Sequence, residues 1–286
     1  MRRTDRRGVT LIELLIGVVL ASILGASLLQ IFVTQARFND RVELSRNARG
    51  VARTAVNFLG SELRMTDAHD GVLLAEPNRI RIRVPYAMGL VCQASSTQIT
   101  ALFMPVDATL YSMGYTGFAV RNALDGQYTY YMNNQPPVAG TASLCTSAPA
   151  NMTIMTGAVV LRVQGSIATV PAVGTPITLI RYIEYAFENS VAVTGRRGLW
   201  RKLLDQSGNP VADNVEELVA PFDTTARFRF FILNNRVPSD TVPTALADLR
   251  GIEIQLAGES ERTVRGRATP EQSNLVTSVF FLNRLD

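Results

Sequence analysis

The 286-residue chain is expected to fold as an α+β protein, with one long amino-terminal α-helix packed on a mostly antiparallel β-sheet head. Three observations predict this. From Val9 to Ala36 the only charged residue is Glu13, and no proline occurs between Val9 and Arg64. Apolar residues then recur at helical spacing as far as Leu63. Beyond Asp67, alternating patterns rich in β-formers replace them. A composition of 47% hydrophobic and 18% charged residues supports a substantial core and excludes wholesale disorder.

Residues 1–8 read as a basic leader, in which Arg2, Arg3, Arg6 and Arg7 stand against Asp5 alone. Residues 9–36 are long and apolar enough to cross a bilayer core of about 30 Å as a helix, with the arginine flank on the cytoplasmic side. An ordinary secretory signal peptide would share this composition, with an apolar region from Leu14 to Leu20 and small-residue cleavage sites near Ala21 or Ala26. Glu13 argues against that alternative. A carboxylate inside an apolar span costs about 2.5–3.5 kcal/mol on insertion scales, so it should have a partner or a task. The apolar residues also run past a normal cleavage point, through Leu28, Leu29, Ile31, Phe32 and Val33.

The segment Gly8-Val9-Thr10-Leu11-Ile12-Glu13-Leu14-Leu15 resembles the class III signal motif of type IV pilins and type II secretion pseudopilins. A short basic leader, a glycine, and a glutamate at the fifth mature position followed by a long apolar helix carry the likeness. Val9 departs mildly from the more usual phenylalanine at the first mature position. The resemblance implies that prepilin peptidase cuts after Gly8, that Val9 becomes the methylated amino terminus, and that Glu13 serves assembly. A cut chain would begin with an amine buried in apolar surroundings, which a carboxylate of a neighbouring subunit can pair. Removing one partner of a buried pair strands the other charge at a cost of about 3–5 kcal/mol, so the pair enforces register. In the alternative, Glu13 snorkels to the headgroups. Gly17, Ala21 and Gly25 repeat small residues at a spacing that lets helices approach closely.

Residues 37–66 are expected to continue the helix as an amphipathic spine. Ala48, Val51, Ala52, Ala55, Leu59 and Leu63 share one face, interspersed with Arg41, Glu43, Arg46, Arg49 and Arg53. Gly50 and Gly60 weaken this helix without ending it. A continuous helix from Val9 to Arg64 would be about 84 Å long at 1.5 Å per residue.

Residues 67–286 are expected to form the β-rich head. Ile80, Ile82 and Val84 alternate with Arg79, Arg81 and Arg83, giving one apolar and one basic face, and the basic face suits protection of an edge strand. Further strands are predicted at 98–104, 128–132, 154–163, 177–187, 199–204, 228–233, 252–256 and 275–282. Gln135-Pro136-Pro137, Gly174-Thr175-Pro176 and Ser207-Gly208-Asn209-Pro210 separate them. Tyr182-Ile183-Glu184-Tyr185, Leu199-Trp200-Arg201-Lys202, Asn214-Val215-Glu216-Glu217-Leu218, the run Gly251 to Leu256, and Phe281-Leu282-Asn283-Arg284 follow in order. This order resembles the larger minor pilins of the PilW type and the J-type minor pseudopilins of type II secretion. Residues 67–174 match neither pattern and are a candidate inserted subdomain.

Enzymatic chemistry is not expected. The single histidine, His69, excludes sites needing two imidazoles, and it sits beside Asp67 and Asp70 in a predicted solvated loop. The chain lacks a Gly-x-Ser-x-Gly elbow and metal-ligand spacing, so no catalytic residue, metal or cofactor is predicted. Asp205, Asn209 and Asp213 lack the pattern of a calcium loop, and a turn at 207–210 is the simpler reading. Cys92 and Cys145 fall on the oxidising side of the membrane, where a disulfide is expected, with two separate buried thiols as the alternative. Arg79, Arg81 and Arg83 offer a stripe for DNA contact, joined by Arg227 and Arg229, but without interleaved stacking aromatics. The formal charge of +4 does not itself imply nucleic acid. The leader holds four of the 28 basic residues and one of the 24 acidic ones, which leaves 24 against 23 in the rest.

With the resemblance, these features imply a non-enzymatic minor pilin of a type IV pilus that primes assembly or sits at the tip, supporting adhesion, motility or DNA uptake. A minor pseudopilin of a type II secretion system is the nearest alternative, and a surface adhesin or DNA-binding tip module is one of another class. The implied partners are prepilin peptidase, other major and minor pilins, and the inner-membrane assembly platform. Before assembly the chain would span the inner membrane with its head in the periplasm, and afterwards it would stand in the pilus at the cell surface.

Overall fold

The computed structural model describes residues 10–67, 70–105, 108–122, 125–233, 235–264 and 266–281. Helix α1 (Leu11–Leu63) runs unbroken for 53 residues, about 80 Å at 1.5 Å per residue. A capping box closes its start. Thr10 Oγ1 accepts the Glu13 N–H at 3.3 Å while the Glu13 carboxylate accepts the Thr10 N–H at 3.0 Å. At its end the Arg64 N–H donates to the Gly60 carbonyl and the Met65 N–H to the Glu62 carbonyl. Residues 11–41 are exposed throughout, whereas Leu44, Ala48, Ala52, Ala55, Leu59 and Leu63 are buried along one face. The buried face therefore begins one turn before the predicted one and leaves Val51 half-buried.

The head opens with β1 (Val72–Glu76), β2 (Arg79–Ala94), β3 (Gln98–Phe103), β4 (Gly117–Arg121), β5 (Tyr128–Met132) and β6 (Val138–Ala139). After a short helix α2 (Ser143–Thr146) come β7 (Val159–Gln164), β8 (Pro176–Asn189), β9 (Arg197–Leu204) and β10 (Pro210–Phe222). The chain continues through β11 (Arg227–Ile232) and β12 (Leu249–Thr263) to β13 (Pro270–Phe280). Among the described residues these strands form one sheet, ordered β11-β12-β10-β9-β8-β2-β3-β7-β6, with β1 beside β2 and β13 beside β12. The β4–β5 hairpin meets the first part of β8, and β9 continues along the rest of that edge. All of these pairings are antiparallel, so a long helix laid on an antiparallel sheet gives the expected α+β architecture. Strands β1, β4, β6 and β10 are not among those predicted, and the strand predicted from 154 begins only at Val159.

Two apolar clusters hold the head together. The first lies between the back half of α1 and the sheet, where Ala55, Leu59 and Leu63 join Ile80, Ile82, Ile183, Tyr185, Phe187, Phe222 and Phe228. Small residues on both sides allow close approach. A Cβ added at Gly258 would stand 2.4 Å from the Ala48 carbonyl oxygen and 3.2 Å from the Ala52 nitrogen. The second cluster gathers Val91, Ile99, Phe103, Phe118, Val163, Ile177 and Leu179.

Strands β2 and β8 run through both clusters. A register shift between Pro85 and Ala87 lets β2 bury Ile80, Ile82 and Val84 first and Ala87 and Val91 afterwards. Residues of the 67–174 segment contribute to both clusters. Val72, Ala75, Ile80 and Ile82 belong to the helix-side cluster, and the second cluster needs Ile177 and Leu179 of β8. A disulfide joins Cys92 of β2 to Cys145 of α2 across 53 residues, with Cα atoms 4.8 Å apart.

Candidate functional site

Gly8 and Val9, the expected cleavage and methylation residues, lie outside the described residues. Glu13 lies in the first turn of α1, and its carboxylate also accepts the Thr10 hydroxyl at 2.9 Å. Its acceptor capacity in the isolated chain is thus directed at the helix start. Gly17 and Gly25 have no atom within 4 Å of where a Cβ would stand, so their smallness serves no contact inside this chain. Around them Leu11, Leu24, Leu29 and Phe32 are between 65% and 84% exposed. An apolar surface of this extent needs lipid or other apolar helices to cover it, and the helix is long and apolar enough to cross a membrane.

The other end of α1 is clamped to the head. Glu62 accepts the Tyr185 hydroxyl at 2.7 Å and Arg201 Nη2 at 2.9 Å. Burial, with the neighbouring Glu62 carboxylate, pushes the Tyr185 hydroxyl far above its ordinary range, which keeps it a donor. Farther along the rod, Arg41 meets Glu271 at 3.1 Å and Glu43 meets Arg262 at 3.7 Å. The latter pair is well exposed and adds little stability.

The arginine stripe has a different setting from the one expected. Strand β2 is interior, flanked by β8 on one edge and by β1 and then β3 on the other, so Arg79, Arg81 and Arg83 do not protect an edge. Arg79 pairs with Glu76 at 2.6 Å and Arg81 with Glu184 at 2.6 Å. Glu184 is buried and also faces Lys202, the chain's one lysine, at 3.4 Å. Register explains the row, because Arg81 stands opposite Glu184 and Glu184 opposite Lys202. Arg83 donates to the Asp70 carbonyl at 2.8 Å and lies 4.6 Å from the centroid of the Tyr130 ring, and burial lowers its pKa. Arg227 and Arg229 both meet Asp240, and Arg229 also meets Glu253 at 2.9 Å. Each of these guanidiniums is thus engaged by a partner in its own chain.

Two clefts flank the side chains of Tyr128 and Tyr130. The larger, about 600 Å³, is lined by these tyrosines with Glu62, Met65, Tyr86 and Arg181. The smaller, about 420 Å³, adds Asp70, Asn122, Asp125 and Gln127. Arg181 is fixed by its place 4.3 Å from the Tyr86 ring centroid and by a 3.2 Å bond to the Met113 carbonyl. Sequence reasoning missed these clefts, and its one signal was the alternation of Tyr128 and Tyr130 on a short strand. Asp205 accepts the Ser207 and Asn209 N–H groups at 2.8 Å each, and Gly208 turns there at φ +83. The Gly208 N–H donates to the Asp205 carbonyl at 3.0 Å, so the turn closes over Asp205 to Gly208, two residues before the predicted 207–210, and Pro210 already opens β10. His69 lies outside the described residues, among which no group of three or more His, Cys, Asp or Glu side chains is placed to hold a metal.

No curated protein and no solved structure matches the chain. Residues 3–29 match the family described as the prokaryotic N-terminal methylation motif. That match, together with the exposed apolar helix that follows it, supports a membrane-anchored type IV pilin-like or pseudopilin protein that is a substrate of prepilin peptidase.

Proposed function

We propose that this chain is a minor pilin of a type IV pilus, cut after Gly8, methylated at Val9 and drawn into the filament through Glu13. The observation that carries the reading is the division of α1. One rod bears a β-rich head on its back half and an uncovered apolar surface on its front half, as a subunit of a helix-cored filament requires. The size of the head favours a low-copy subunit that primes assembly or stands at the tip. Its partners are then the other pilins and the inner-membrane assembly platform, and its head is periplasmic before assembly and at the cell surface afterwards. The engaged arginines supply no support for DNA uptake.

The intact mass of the mature protein recovered from membranes tests this reading. A species beginning at Val9 with one extra methyl group is expected, and a cut after Ala21 or Ala26 would overturn it. Glu13→Ala should be processed normally yet fail to copurify with filaments. A minor pseudopilin would behave alike in both tests, and neighbouring genes separate the two, since pilins with retraction ATPases mark one system and a secretin with secreted hydrolases the other. The clefts beside Tyr128 and Tyr130 favour a second reading, a receptor at the tip. Tyr130→Ala should then abolish attachment while leaving filament number unchanged.

A further inference from the structure

We infer that the free edge of β13 pairs, strand to strand, with an extended segment of a different subunit of the filament, an inference that rests on the pilin reading above. Strand β12 receives β11, and at one residue pair β10, on one edge, and β13 on the other. Among the described residues no strand pairs with the opposite edge of β13. The Phe281 N–H donates to the Arg250 carbonyl at 3.1 Å and the Glu271 N–H to Ser260 Oγ at 3.0 Å, so these residues face β12. By alternation Gln272, Asn274, Val276, Ser278 and Phe280 direct their backbone N–H and C=O groups outward. The same five residues are the exposed ones, and Val276 and Phe280 are each 54% exposed.

Edges left in this state attract strands, and proteins ordinarily blunt them. Three other margins of this sheet are blunted. Strand β6 has two residues. The outer side of β11 is closed where the Phe228 N–H donates to the Pro77 carbonyl and where Phe230 and Ser239 exchange backbone bonds. The open stretch of β10 carries Asp213, Glu216 and Glu217 and shifts register three times. By contrast, Gln272 to Phe281 contains no charged residue and no proline, and the strand is 11 residues long. Unpaired backbone groups over such a length are satisfied by an extended main chain, with β-branched or aromatic side chains to cover Val276 and Phe280.

The position of the edge points to the occupant. Strand β13 begins at the Arg41–Glu271 pair, where the exposed half of α1 leaves the head. The edge is therefore continuous with the surface that neighbouring helices must cover. A second copy is disfavoured by symmetry. A two-fold axis joining β13 to itself antiparallel reverses every direction in the sheet plane, including that of α1 lying on it. Two helices anchored by the same end in one membrane cannot run antiparallel.

A photo-crosslinking residue at Ser278 of the full chain, expressed in cells that assemble filaments, tests this. A discrete adduct with another filament subunit is expected, and none from the remote exposed position Val191. Val276→Pro removes one outward N–H without touching the β12 ladder and should abolish the adduct while the melting temperature of the purified chain is retained. If that variant fails to fold, Val276→Lys should block the edge by charge with the same loss. An adduct of twice the chain's own mass, or no adduct at Ser278, would overturn the proposal. Absence of the adduct from a chain correctly processed at Val9 defeats edge pairing alone, whereas a chain not processed there defeats the reading beneath it.

Discussion

In the front half of α1, Leu29 and Phe32 are each 66% exposed, while Leu59 in the back half is fully buried against the head. The two halves share one backbone, and the front half is the more apolar. They differ in where their burial comes from. The back half presents a seam of Ala48, Ala52, Ala55 and Leu59 to the sheet and turns Arg46, Arg49 and Arg53 to solvent. The front half is apolar all round, which within a single chain has no partner. Helix stability in proteins comes mainly from packing, so the back half is held by its own head and the front half by whatever surrounds it.

Leu59→Ala should give the largest effect, a loss of about 2–5 kcal/mol, because a fully buried side chain is deleted. Leu29→Ala should leave the melting temperature of the detergent-solubilised chain unchanged and reduce only filament incorporation. Equal losses of thermal stability from the two would break the division. Next comes Gly258→Ala, whose new Cβ would meet the Ala48 carbonyl and should cost about 1–3 kcal/mol in the same melt, since neither backbone can yield without separating helix from sheet. Glu62→Gln leaves Arg201 without its carboxylate and should cost about 1–2 kcal/mol, read as faster proteolysis between the helix and the head as well as a lower melting temperature.

The smallest effect should come from Asp205, far from either half. Bonds from the Asn209 and Ser207 N–H groups hold its carboxyl below the ordinary carboxylate range. Its contribution is therefore present above the unfolded value of about 3.9 and is lost as the pH falls through the lower folded value. Asp205→Ala should narrow the difference between melting temperatures measured above and below that pH, with no change in incorporation.

The rod was legible because charge, proline and the four-residue spacing of small and apolar side chains all lie within one local stretch. Leu44 escaped because no apolar residue one turn earlier pairs with it on the predicted face. Strand β10 was hidden by Asp213, Glu216 and Glu217, which mimic a loop yet stand on an open edge beside β9. Strand β12 proved longer than predicted because Glu259, buried to 1% exposure, is neutralised by Arg196 at 2.8 Å and held by Gln272. Both partners are distant in sequence. The setting of the arginine stripe was hidden for the same reason, since Glu184 lies 103 residues beyond Arg81. The tyrosine clefts needed the β4–β5 hairpin to fold back beside the end of α1, a juxtaposition that no local pattern encodes.

Because α1 is continuous, it also sets how a mechanical load enters the head. A pull along the rod from its membrane end arrives as shear across Ala48, Ala52 and Gly258 and as tension on the bonds from Tyr185 and Arg201 to Glu62. A slip by one turn would require moving about 5.4 Å along a seam already at contact distance. The bonds at the far end deliver the force to β8 and β9, both interior strands with neighbours on either side. Traction therefore spreads into the middle of the sheet, so the head is drawn as one body instead of being peeled from a margin.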